Sequence, residues 1–169
     1  IRFWEEVVVR MPESSFERAK YLSNLGNGLR ARYHVLNNSI DLDSAIDKYE
    51  MSVVEAKTTN INLGGFLINL ATGLTDRFDC RRNKLDLDVA IEKYEDAMAV
   101  ISNDSEDSAL CMSNLGSALH TRYLHYGDPE DLDQAIIFSK DAVRNTLVNS
   151  PHAAGYLNNL GALIQDRYV

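Results

Sequence analysis

Apolar positions along this chain fall at spacings of three and four. Tyr21, Leu22, Leu25, Leu29 and Tyr33 lie on one stripe of a helix, because a turn takes about 3.6 residues. A second block, Ala45, Ile46, Tyr49 and Val53, has the same spacing and returns as Ala90, Ile91, Tyr94 and Met98. The pattern predicts two alternating helices, A and B. No useful length of sequence alternates apolar and polar residues with period two, so no strand is expected and the fold class is all-α.

The blocks are copies of one unit. Asn24-Leu25-Gly26 returns as Asn69-Leu70-Ala71, Asn114-Leu115-Gly116 and Asn159-Leu160-Gly161, so the starts (24, 69, 114, 159) are 45 residues apart. A fixed period of roughly 20 to 50 residues marks a solenoid, propeller or array rather than one globular core. In register, 1–11 is a helix B of a preceding repeat, 14–57, 60–102 and 105–148 are three repeats, and 151–169 is helix A of a fourth. Neither end reads as the polar cap that arrays need. The expectation is one array cut from a longer protein, whose open ends could stack head to tail.

Other columns assign parts to the unit. Tyr21, Phe66, Cys111 and Tyr156 share one. Arg32, Arg77, Arg122 and Arg167 share another, each followed by an aromatic, and Asp-Leu-Asp recurs at 41–43, 86–88 and 131–133. Asp43, Asp88 and Asp133 stand at or just before the first turn of helix B, where a carboxylate can accept from free backbone N–H groups. Asp128-Pro129 is a further start signal, since proline suits a first turn. The turns fall in 37–40, 81–85 and 127–130. The recurring arginines and aspartates predict ion pairs fastening the end of A to the start of B, worth about 0.2–1 kcal/mol each at a surface. Leu25 and its equivalents fill the space between units, and Gly26, Ala71, Gly116 and Gly161 let a neighbouring helix approach. The asparagine of each triplet reads as a buried amide bonded to a neighbouring backbone carbonyl, the alternative being a contact to a partner.

Charge narrows the partners. A net charge of -8 argues against nucleic acid or an anionic membrane, both of which need a basic face. No stretch reaches the ~18 apolar residues of a membrane span, and the N-terminus carries no secretory signal. A cytoplasmic protein is expected. Cys80 and Cys111 form no C-x-x-C pair and read as ordinary small residues. The Asp-Leu-Asp triplets lack the glycine and distal glutamate of a calcium loop. His34, His120, His125 and His152 occupy unrelated columns, and no nucleophile elbow, P-loop or dinucleotide fingerprint is present. No catalytic residue, metal or cofactor is expected.

These columns resemble the tetratricopeptide repeat (TPR). Leu25-Gly26 with Leu29 is similar to the family's helix A, and Ala45, Tyr49 and Ser52, repeated as Ala90, Tyr94 and Ala97, to its helix B. In the third unit Ala135 and Ala142 match, Ser139 replaces the aromatic, and Phe138 is expected to stand in for it. The family's common period is 34 residues, so helix A should run about two turns longer or the A–B turn should expand. The long form resembles arrays of fungal and bacterial TPR-CHAT type proteins. The resemblance implies a TPR-like alpha-solenoid of stacked antiparallel helix pairs forming a right-handed superhelix, and a non-catalytic scaffold that holds a protein or peptide on the concave face of its A helices. Carried over by column, that face is Ser23, Asn27, Arg30, Ile68, Thr72, Thr75, Ser113, Ser117, His120, Asn158, Ala162 and Gln165. The alternative is a regulatory or sensor arm of a larger signalling protein, such as a CHAT protease or an NLR-type NTPase, packing on its own effector domain.

Overall fold

A computed structural model describes residues 1–12, 15–59, 63–102, 105–147 and 149–168. The expected boundaries at Ser14, Asn60, Val148 and Val169 lie outside these. The helices are α1 (Arg2–Arg10), α2 (Phe16–Leu36), α3 (Ser39–Thr59), α4 (Leu63–Arg81), α5 (Lys84–Val100), α6 (Glu106–Tyr126), α7 (Pro129–Arg144) and α8 (Ala153–Arg167). The described residues contain no strand, and the chain is an all-α helical repeat. Two compact units divide it, Ile1–Lys93 and Tyr94–Val169. In the first, α2 packs on α3 and α3 on α4; in the second, α6 packs on α7 and α7 on α8.

The extra length of the repeat lies in the helices. Helices α2, α3 and α6 each run 21 residues without a break, and the A–B connections are tight. Each begins with a residue in the left-handed region, Asn37 (φ 52°), Arg82 (φ 56°) or Gly127 (φ 77°). Its N–H donates over 2.7 Å to the carbonyl of Tyr33, Phe78 or Tyr123, which closes the last turn of helix A. The next residue caps helix B. The side-chain oxygens of Asn38, Asn83 and Asp128 accept from the N–H of Ile40, Leu85 and Glu130 at 3.2, 3.2 and 3.0 Å. The caps are therefore not Asp43, Asp88 and Asp133, which lie too far into helix B to reach its free N–H groups.

The Asp-Leu-Asp triplet instead divides its work. Its first aspartate closes the hairpin: Arg32 grips Asp41 with two hydrogen bonds (2.6 and 2.5 Å), and Arg77 with Asp86 and Arg122 with Asp131 repeat the grip. The sequence places these pairs at the surface. The structure buries their carboxylates, Asp41 being 3% exposed, so losing the arginine would strand a desolvated charge, which an exposed pair would not do. The middle leucines, Leu42, Leu87 and Leu132, are core residues. The second aspartate reaches onward to the next helix A, Asp43 to Arg81 (2.7 Å) and Arg77 (3.6 Å), and Asp133 to Arg167 (3.1 Å).

The grip makes stability depend on pH. Its hydrogen bonds from Arg32 hold the Asp41 carboxyl below the usual carboxylate range. A depressed folded pKa contributes stability that is full above the unfolded value, about 3.9, and is lost as pH falls through the folded one. Urea midpoints should hold between neutral pH and about pH 5 and then drop with acid, the drop being shallower in Asp41→Asn. Equal slopes for the two proteins would contradict this account.

Packing between the helices trades volume along two columns. The Tyr49 ring lies against Gly26, where an added Cβ would stand 2.5 Å from Cε1, and against Gly73, at 3.2 Å. The Trp4 ring lies against Gly28 in the same way, at 2.7 Å. Down the helix B column run Trp4, Tyr49, Tyr94 and Ser139; 24 residues after each come Gly28, Gly73, Ala118 and Leu163. As the first shrinks the second grows, which keeps the interior at close-packed density. Ser139 is buried with Oγ 2.6 Å from where a Cβ of Gly116 would stand. Phe138 does not take the aromatic place; it packs on a separate cluster of Ala109, Met112, Ala142 and Tyr156.

Candidate partner-binding face

Polar residues of the A helices cross-link one helix to the next. In the first unit Asn69 Nδ2 of α4 donates to Ser23 Oγ of α2 (2.9 Å), and Arg30 binds Asp76 through two hydrogen bonds (2.5 and 3.4 Å). Asp76 also lies 3.0 Å from His34 Nε2. The second unit repeats the arrangement between α6 and α8. Asn159 Nδ2 lies 3.3 Å from both Ser113 Oγ and Ser117 Oγ, and His120 Nε2 lies 2.6 Å from Asp166. Two of the triplet asparagines, Asn69 and Asn159, thus bond to side-chain hydroxyls of the A helix two helices earlier. These two bond to hydroxyls rather than to the expected backbone carbonyls, and none of the four is fully buried: Asn24 is exposed and Asn69, Asn114 and Asn159 are half-buried.

These rungs recur every 90 residues, from Ser23 to Ser113, Arg30 to His120, Asn69 to Asn159 and Asp76 to Asp166. That doubled period is a signal the 45-residue columns conceal. Each rung joins residues 46 apart, one more than the repeat, because stacked helices are offset by a residue. A search for pairs in the same column misses them.

The expected face residues separate into three groups. Ser23, Ile68 and Ser113 are buried. Arg30, Thr72, Thr75 and His120 are half-buried, and Asn27, Ser117, Asn158, Ala162 and Gln165 are exposed. Thr72, Thr75 and Ser117 turn their hydroxyls back to the carbonyls of Ile68, Ala71 and Ser113 (2.8, 3.0 and 3.0 Å). Asn27 Oδ1 accepts from the Tyr49 hydroxyl (2.8 Å), and burial pushes that phenol up to about 12. The outward chemistry is that of side-chain amides and hydroxyls, to which exposed Asn24 belongs as well. An open cleft of about 730 Å³ lies elsewhere in the first unit, lined by Arg18, Lys48, Met51, Val54 and Glu55 among others.

Both cysteines are free. Cys80 is exposed, while the Cys111 thiol is buried, donates to the Tyr94 carbonyl (3.4 Å) and is pushed up to about 12 by that burial. Among the described residues no group of three His, Cys, Asp or Glu is disposed to hold a metal ion, and no helix is long and apolar enough to cross a membrane.

No family model and no curated protein matches the chain. Among solved structures it is similar to the crystal structure of BtubC (BKLC) from P. vanneervenii, with a TM-score of 0.63 at 18% identity. That alignment covers 96% of this chain and 63% of the other, so the chain spans less than two thirds of that protein's length. The DHF79 filament aligns with a TM-score of 0.47 at 16% identity, over 91% of this chain and 85% of the other. At these identities the likeness to BtubC is one of fold.

Proposed function

We propose that the chain is a TPR-type, non-catalytic interaction scaffold that holds a peptide or protein segment on the outward polar face of its A helices. The observation that carries this reading is the division of labour on those helices. Most apolar columns are repeated and buried, whereas the columns beside the rungs change from one repeat to the next and keep Asn27, Ser117, Asn158 and Gln165 exposed. Amide groups that both donate and accept are suited to the N–H and C=O groups of a partner backbone. Helices already fastened to one another lose little conformational entropy on binding. The small-residue and aromatic positions, Gly26 under Tyr49 and Ala45 beside them, support the TPR assignment.

Random-peptide display against the chain tests the proposal. Peptides selected on the wild type should lose at least tenfold in affinity when Asn158 and Gln165 are both replaced by Arg, with helicity unchanged. If no peptide is selected, or the selected ones bind the double variant equally, the reading fails. Arg30 and His120 are unsuitable probes, because each holds a rung as well as lying on the face.

A further inference from the structure

Asn27 stands on the outward face of α2, and its amide is held from below. The Tyr49 hydroxyl of α3 donates to Asn27 Oδ1 over 2.8 Å. Tyr49 is 1% exposed, whereas Asn27 is exposed, so the bond runs from the interior of the helix pair to its surface. The ring that carries the hydroxyl is itself held in place. It lies against Gly26 and Gly73, where added Cβ atoms would stand 2.5 and 3.2 Å from it.

That bond decides which way round the amide sits. Turning it round would set Nδ2 against the phenol and leave the phenol proton without an acceptor, and a buried donor left unpaired loses the hydrogen bond it makes in water. Burial pushes the phenol up to about 12, so it keeps that proton at neutral pH. With Oδ1 drawn inward, Nδ2 and its two N–H groups are left on the other side of Cγ, at the surface. Arg30, three residues on along the same face, likewise carries donors and no acceptor. In the corresponding columns Thr72 goes with Tyr94 and Ser117 with Ser139, so of the three pairs only Asn27 with Tyr49 combines an amide with a phenol.

We infer that Tyr49 is a positioning residue that turns the Asn27 amide outward as a hydrogen-bond donor, so that this part of the face takes a carbonyl oxygen of the partner's backbone and not one of its N–H groups. The partner's half of the contact rests on the scaffold reading; the direction of the amide does not.

Nuclear Overhauser contacts in the unliganded wild type read that direction without any peptide. Asn27 amide protons turned outward should give only weak contacts to the Tyr49 ring protons beside the hydroxyl; strong ones would place Nδ2 inward and overturn the inference. The partner's half is read with peptides from the display selection that carry no charged side chain and lose about fivefold in affinity on Asn27→Ala, the worth of one net hydrogen bond. Asn27→Asp keeps an oxygen for the Tyr49 hydroxyl and replaces the outward N–H groups by a second oxygen, so it should bind these peptides no better than Asn27→Ala. Tyr49→Phe keeps the ring and releases the amide, and should weaken the same peptides with helicity unchanged. Wild-type affinity in Asn27→Asp would mean that the partner offers an N–H group, and would overturn the inference. Wild-type affinity in Tyr49→Phe, with Asn27→Ala still weak, would leave the scaffold reading standing and refute the positioning role. A selection in which no peptide depends on Asn27 refutes the carbonyl contact, and one that yields no peptide at all takes the scaffold reading with it.

Discussion

Leu163→Gly should destabilise the second unit by about 4 kcal/mol, and adding Ser139→Tyr should restore a large part of the loss. Leu163 is 1% exposed and Ser139 equally so. Deleting a buried leucine removes its transfer free energy, leaves a cavity and, with glycine, adds a backbone penalty inside a helix, which together come to about 3–5 kcal/mol. Ser139→Tyr alone should also destabilise, by about 1–3 kcal/mol, because by register with Tyr49 and Gly73 the phenol would need the space of Leu163. In the first unit the corresponding ring sits in the gap that Gly73 leaves, 3.2 Å from its Cβ position. Carrying both substitutions at once would recreate that arrangement. Urea unfolding of the two single variants and the double variant, with hydrogen exchange localised to α6–α8, measures the coupling. The volume trade would be refuted by a double variant whose loss equals the sum of the singles.

Arg77→Ala should cost about 2–3 kcal/mol, read from the unfolding of the first unit by Trp4 fluorescence. Arg77 holds Asp86 with two hydrogen bonds and lies 3.6 Å from Asp43 of the preceding hairpin. Its own guanidinium is pulled further toward the charged form, chiefly by the hydrogen bond to Asp86. Removing it leaves Asp86, 4% exposed, as a carboxylate without its cation, and stranding a partly buried charge is more damaging than losing a surface pair. Arg77→Lys should recover less than half, because an ammonium cannot make the parallel pair of hydrogen bonds. The control is Arg144→Ala, which removes the exposed pair with Asp141 and should change stability by less than about 0.5 kcal/mol. Equal losses for Arg77→Ala and Arg144→Ala would show that burial of the carboxylate adds nothing.

How far these features were legible in the residues depends on the range of the contact. The hairpin pair Arg77–Asp86 spans one tight turn, and a recurring Arg with a recurring Asp in one hairpin announces it. The role of Asp43 was not legible, because a carboxylate near a helix start suits a cap, and only the approach of α4 shows that Arg77 and Arg81 claim it. The Ser23–Asn69 and Arg30–Asp76 rungs were hidden for a related reason: their partners stand in adjacent columns of different repeats. Ser139 looked like a defect that Phe138 would repair until Leu163, which holds in the fourth repeat the register position of Gly73, proved to be buried.

By itself the sequence determined the helices, their 45-residue unit and which stripe of each is buried. Those follow from periodicity and local turn chemistry, which act within a few residues. Only the tertiary structure decided which side chains meet between repeats: that caps come from Asn38, Asn83 and Asp128, that A helices are tied by rungs offset by one residue, and that a large residue on one helix is answered by a small one on the next. These depend on the distance and stagger at which whole helices stack, quantities that no single column of the repeat contains.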